Sequence, residues 1–86
     1  MTNYAVRWHD PASTALLAQL VRAADKQHIL RAAREIERRL ALNPAEEGES
    51  RGASHRLLFV RPLSVLYRID ESATTVYIDD LKWVGK

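Results

Sequence analysis

From His55 to Asp80 the chain alternates apolar and polar positions in three short runs. They are His55-Arg56-Leu57-Leu58-Phe59-Val60-Arg61, Ser64-Val65-Leu66-Tyr67-Arg68-Ile69-Asp70 and Thr74-Thr75-Val76-Tyr77-Ile78-Asp79-Asp80. Each is rich in β-branched or aromatic residues, and only Pro62-Leu63 and Glu71-Ser72-Ala73 separate them. Runs of this composition and spacing read as strands over 55–61, 64–70 and 74–80 joined by hairpins. Tyr4-Ala5-Val6-Arg7-Trp8 alternates as well and predicts a half-buried strand over 3–9, with Tyr4, Val6 and Trp8 facing inward.

Between these regions the period becomes helical. After His9, Asp10 suits a helix cap and Pro11 the first helical position. Leu16, Leu17, Leu20, Val21 and Ala24 then fall within about 140° of arc at 100° per residue, which predicts a helix over 11–24. Asp25 breaks it and caps a second helix over 26–42. Ile29, Ala33, Ile36 and Leu40 of that helix lie within about 60° of one another, with Arg31, Arg34 and Arg38 on the opposite side. That arginine stripe reads as a solvated helix face or a contact for an acidic partner. Pro44 disfavours helical geometry at Asn43 and ends the helix. The stretch 43–54, with one Pro, two Gly and three Glu, reads as a surface loop with no apolar anchor larger than alanine.

Helices of about 14 residues and strands of six or seven have nearly the same length, about 21 Å. The expected fold is therefore α+β in the order β-α-α-β-β-β. A two-helix hairpin packs on one face of a largely antiparallel four-stranded sheet, and the strand after the helices runs opposite to the first. Two helices cover only one face, yet strand 55–61 is apolar on both. Leu57 and Phe59 point one way, Leu58 and Val60 the other; in the next strand Val65, Tyr67 and Ile69 oppose Leu66 and Arg68. The apolar surface left over marks a partner site, unless loop 43–54 or the tail 82–86 covers it.

The 86 residues form a single domain, 1–86, that buries roughly 60–65% of its unfolded surface. With no cysteine, neither a disulfide nor a thiolate metal site supports it, which fits a reducing cytoplasm. No apolar run approaches the ~20 residues that span a bilayer, and Met1-Thr2-Asn3-Tyr4 does not begin a signal peptide, so a cytoplasmic, membrane-free protein is expected. The net charge is +2 and the pI about 9.3, a mild bias compatible with nucleic acid. Residues 1–42 hold seven Lys/Arg against four Asp/Glu, a balance of +3, and residues 43–86 six against seven, a balance of −1.

Several stretches together resemble the RelE/ParE toxin superfamily of type II toxin–antitoxin systems, over almost the whole chain. They are Tyr4-Ala5-Val6-Arg7-Trp8 before a helical pair, the stop at Leu42-Asn43-Pro44, the segment Leu63-Ser64-Val65-Leu66-Tyr67-Arg68-Ile69-Asp70-Glu71, and Thr75-Val76-Tyr77-Ile78. The resemblance implies a toxin with a cognate antitoxin as its partner, whose tail would wrap the uncovered apolar surface. RelE-like members cut messenger RNA on the ribosome, and ParE-like members poison DNA gyrase. The first expectation is a ribosome-dependent mRNA endoribonuclease. The alternatives are a gyrase inhibitor without catalytic chemistry, or a degenerate member that only binds antitoxin. The sequence departs from RelE-like members in having Ser64 where they place an arginine and Trp83 where they place another. The sequence also ends at Lys86, before the terminal helix that many members carry.

RNA cleavage by 2′-OH attack needs a base, a cation for the phosphorane charge and an acid for the leaving oxygen. His55, the only histidine on the strand meander, titrates in a useful range as a residue type, although a strand-end histidine is also an ordinary exposed polar group. His55, Arg68, Arg61 and Lys82 are the catalytic candidates. Arg7, Arg51, Arg56 and Trp83 are the RNA-binding candidates: the arginines hold phosphates or pair with the Glu-rich loop, and Trp83 stacks on a base or closes the core edge. Neither a cofactor nor a metal is expected, because no His or Cys lies near Asp79-Asp80 or Glu46-Glu47-Glu49 in sequence.

Overall fold

A computed structural model describes residues 3–85. Met1-Thr2 of the signal-peptide reading and Lys86 of the tail lie outside them. Along the chain come β1 (Ala5–Trp8), α1 (Asp10–Arg22), α2 (Lys26–Leu42), β2 (Glu49–Ser50), β3 (His55–Val60), β4 (Leu63–Asp70) and β5 (Thr75–Trp83). The sheet order is β1-β5-β4-β3-β2. The fold is α+β, with both helices on a sheet that is antiparallel except for the edge pair β1–β5, which is parallel.

Three details correct the sequence reading. The sheet has five strands rather than four, because Glu49 and Ser50 pair with Leu57 and Arg56. That short strand is a descending leg, so β3 runs in the same direction as β1 instead of opposite to it. The third correction is at α1. Its N-cap is His9 without a side-chain cap bond, and Asp10 already lies in the first turn. Leu17 and Val21 are 62% and 71% exposed, whereas Ala12 is fully buried. Asp25 does cap α2, accepting from the His28 amide at 3.2 Å. Lys26 Nζ donates to Leu20 O at 2.8 Å, a last-turn carbonyl of α1 that otherwise accepts only a long 3.4 Å bond from the Ala23 amide.

The core lies between the helices and one face of the sheet. Ile29, Ala32, Ile36 and Leu40 of α2 meet Leu58, Leu63, Val65, Tyr67, Val76 and Ile78. Tyr4, Val6 and Trp8 pack at its rim, in the phase read from the sequence. The stretch 43–54 has an apolar anchor after all, since Pro44 is fully buried. Tyr67 crosses the core and its hydroxyl donates to Pro44 O at 2.7 Å and Glu47 O at 2.6 Å. Arg56 donates from Nε to Glu47 O and from a terminal nitrogen to Gly48 O, both at 3.1 Å. Gly48 has φ +63°, and a Cβ there would stand 2.5 Å from Leu57 O and 3.0 Å from the Tyr67 hydroxyl. The loop is thus held against the sheet by buried backbone acceptors that need those two side chains. Among the described residues, no helix is long and apolar enough to cross a membrane.

Candidate functional site

The open face of the sheet carries three cross-strand rows. Strand pairing aligns Arg7, Tyr77, Arg68 and His55 in the first, Asp80, Leu66 and Leu57 in the second, and Lys82, Ser64 and Phe59 in the third. Residues paired across a ladder point to the same face, so the alternation that buries Tyr67 and Leu58 sets these side chains outward.

A β-bulge breaks the β4–β5 ladder within this face. Leu66 pairs with Asp80 and Tyr67 with Ile78, which leaves Asp79 without a partner on β4. The extra residue lets Val76 and Ile78 face the core before the bulge and Leu81 after it. It also aims the Asp79 carboxylate across the first row, a frequent use of bulges at sites. Oδ2 accepts from His55 Nε2 and from Arg68 Nε, each at 3.0 Å. His9, just past the end of β1, brings Nδ1 to 2.8 Å from Oδ1. That separation is within ion-pair range but misaligned for a hydrogen bond, so buried Oδ1 keeps an unused acceptor position. Tyr77 is the floor: the Arg68 guanidinium lies 4.5 Å over its ring, and the His9 ring is 4.9 Å away.

An aspartate only accepts, so the imidazole nitrogen bonded to it carries the proton and the other nitrogen is left to act. His55 is therefore oriented as a base needs to be, and His9 stands beside the same carboxylate at ion-pair distance, where a protonated ring would act as an acid; their side chains are 33% and 40% exposed. Arg68 uses Nε on Asp79, and its two terminal nitrogens are available for a phosphate. Among the described residues no group of three or more His, Cys, Asp and Glu is arranged to hold a metal ion. The third partner of Asp79 is the Arg68 guanidinium, a fixed cation.

The structure brings His55, Arg68, Arg7 and Lys82 to one face. Arg51 lies past β2 and pairs with Glu49 at 3.1 Å; Arg61 is at the exposed turn between β3 and β4. Arg56 is out of phase with His55 and engages the loop carbonyls. Trp83 is on the opposite phase, opposite Leu63, where it lines a hollow of about 640 Å³ with Ala24, Asp25, His28 and Ile29. A second hollow, about 530 Å³, lies between α1 and α2 over Leu16, Leu17, Leu20 and Leu30. Both exceed the groove of the sheet face in volume, but neither gathers a proton-transfer cluster. The sequence reading missed Asp79, His9 and Tyr77 as site residues. Tyr77 was accessible from alternation; the apolar phase slip from Val76 and Ile78 to Leu81 was the signal for a bulge at Asp79.

No protein-family model and no curated protein matches the sequence. Solved structures do match in fold. A chain of the toxin–antitoxin complex RelBE2 from Mycobacterium tuberculosis is similar at 22% identity and TM-score 0.77, over 96% of this chain and 93% of that one. A chain of the archaeal RelE–RelB complex from Pyrococcus horikoshii is similar at 20% identity and TM-score 0.70, over 99% of both. A chain of the chromosomal ParDE system of P. aeruginosa is similar at 20% identity and TM-score 0.68, over 94% and 96%. The chain has the fold of the RelE/ParE toxins.

Proposed function

We propose that this protein is the toxin of a toxin–antitoxin pair and that it cleaves messenger RNA on the ribosome. The observation that carries the chemistry is the Asp79 carboxylate gripping His55, His9 and Arg68 on an open sheet face. His55 accepts the proton of a ribose 2′-OH through the nitrogen that Asp79 leaves free. The 2′ oxygen then bonds to the adjacent phosphorus. Arg68 stabilises the phosphorane charge. His9 gives a proton to the departing 5′ oxygen, leaving a 2′,3′-cyclic phosphate and a 5′-hydroxyl. Asp79 fixes the His55 tautomer through its hydrogen bond, the role a carboxylate plays in a catalytic triad, and sets a negative charge beside the His9 ring. Arg7 and Lys82 flank the track and neutralise neighbouring phosphates; Arg51 and Arg61 extend that charge at the ends of β3. Arg56 and Trp83 serve the loop and the helical side in this reading. The antitoxin in this reading is a protein that covers the apolar surface; the solved chains of the same fold come from toxin–antitoxin and RelE–RelB complexes.

The test is induction in a bacterial host with mapping of mRNA 5′ ends and of plasmid supercoiling. Wild-type protein should produce new 5′ ends and leave supercoiling unchanged. His55→Ala should lower cleavage by about 10²- to 10⁴-fold. Arg68→Ala, losing a charged contact worth about 1.5–3 kcal/mol, should lower it roughly ten- to a hundredfold. Circular dichroism checks that both variants fold. Intact messages with altered supercoiling would favour gyrase as the target, a reading that the ParDE likeness supports.

A further inference from the structure

The hollow of about 640 Å³ on the helical side opens where α1 ends, α2 begins and β5 runs out. Small-molecule pockets run from about 300 to 1,000 Å³, so it has room for a ligand of two fused rings. Ala23, Ala24 and the buried Ile29 line it with apolar atoms, and Trp83 adds its indole. We infer that this hollow is a binding site for a small aromatic carboxylate. The inference goes beyond the nuclease reading and does not depend on it, because no residue of the hollow belongs to the open sheet face.

Trp83 supplies the aromatic half. It is 47% exposed at the end of β5. The other tryptophan shows the contrast: Trp8 Nε1 donates to Glu37 at 2.8 Å, whereas the Trp83 indole N–H has no acceptor among the described residues. An indole left this way offers a flat apolar face and one donor. The rim supplies the charge. Arg22 and His28 line the hollow, and neither side chain has a partner among the described residues. A guanidinium matches the two oxygens of a carboxylate. Asp25 is the only acid in the lining, and its Oδ1 accepts from the His28 amide of its own helix at 3.2 Å. Next to it, Lys26 Nζ donates to Leu20 O at 2.8 Å and Ala23 O at 3.4 Å, so the end of α1 carries a cation over its carbonyls. The local balance is therefore positive and selects an anion. A neutral ring would stack on Trp83 but leave Arg22 unpaired, and an aliphatic acid would pair with Arg22 but gain little from the indole. A dianion such as a phosphate monoester is repelled more strongly by Asp25 than a monoanion is. An aromatic carboxylate uses both halves of the site.

The test is an NMR titration of the full chain with naphthoate, run beside naphthamide, cyclohexanecarboxylate and naphthyl phosphate. The chain has two tryptophans, and Trp83→Phe identifies which indole N–H signal belongs to Trp83. Naphthoate should move that signal and the Ile29 methyls while the Trp8 signal stays in place. It should bind roughly ten- to a hundredfold more tightly than naphthamide or cyclohexanecarboxylate. Arg22→Gln should bring naphthoate and naphthamide to similar affinity. Trp83→Leu should weaken both, roughly tenfold, and keep their ratio. Both substitutions are at exposed positions, and circular dichroism checks that the variants fold. Equal affinity for naphthoate and naphthamide in the wild type, or a preference that Arg22→Gln preserves, overturns the inference and leaves only an apolar dent. Tighter binding of naphthyl phosphate overturns it in favour of a phosphate contact, as RNA would make. Failure of all four probes to move the Trp83 signal also overturns it and marks the hollow as a protein contact.

Discussion

Tyr67 does more for the fold than its place on a central strand implies. It is fully buried, and burial pushes its hydroxyl above the ordinary tyrosine range, against the opposing pull of Arg56. The neutral phenol is the form that donates to Pro44 O and Glu47 O. Tyr67→Phe removes that donor and strands Pro44 O, while Glu47 O keeps Arg56 Nε, so it should cost about 1–3 kcal/mol by denaturant midpoint. Gly48→Ala should destabilise too, because the new methyl meets Leu57 O in a backbone conformation unsuited to side chains. Asp70 gives a pH signature. The Ser72 hydroxyl and the Ala73 amide hold its carboxyl below the usual aspartate range. A depressed folded-state value stabilises above the unfolded value, and that stabilisation is lost as pH falls through the folded one. Asp70→Ala should therefore be less stable than wild type at neutral pH, and the gap between their midpoints should close in acid. Arg68, out of phase with its strand's apolar set, and His55, the only histidine on the strand meander, were legible as residues of the open face. Asp79 and His9 were not. One depends on a bulge and the other on a strand pairing that brings opposite ends of the described chain together.

Among the elements, α2 was the most legible. Four of its five buried residues, Ile29, Ala33, Ile36 and Leu40, are those the periodicity selected, with Ala32 the addition, because a long helix with one apolar stripe has a single way to pack. Ile36→Ala should cost about 2–5 kcal/mol, while exposed Arg34→Ala should stay within about ±0.5 kcal/mol. Denaturant unfolding ranks the two directly. The first helix was less legible. Apolar residues occupy too wide an arc for one sheet contact, so the sequence could not say that Leu17 and Val21 stay outside. The strands were legible by alternation, but their directions were not. Two residues of β2 reverse the chain between α2 and β3, and Glu49-Ser50 has no pattern of its own. What makes it a strand is the open edge of β3.

At the scale of the molecule, apolar surface is exposed on two sides. The radius of gyration is 12.4 Å, close to the about 12 Å of a compact chain of this length. The hollows beside α1 are therefore surface relief on a closed domain. Val21 on α1 is 71% exposed, so Val21→Asp should leave stability within about ±0.5 kcal/mol. If the proposed antitoxin covers this side, the same substitution should weaken co-purification with it while the melting temperature holds. A melting temperature that falls with the binding would instead mean that Val21 supports the fold.

The parallel pairing of β1 with β5 has a consequence for synthesis. Of the described strands, the one synthesised first lies beside the one synthesised last, and α1 likewise packs on β5. Contacts so distant in sequence form late. A nascent chain that lacks β5 has His9 but no carboxylate to orient it, and no partner for its first strand. Under the proposed activity, the protein is harmless to the ribosome making it until that final strand has emerged and docked.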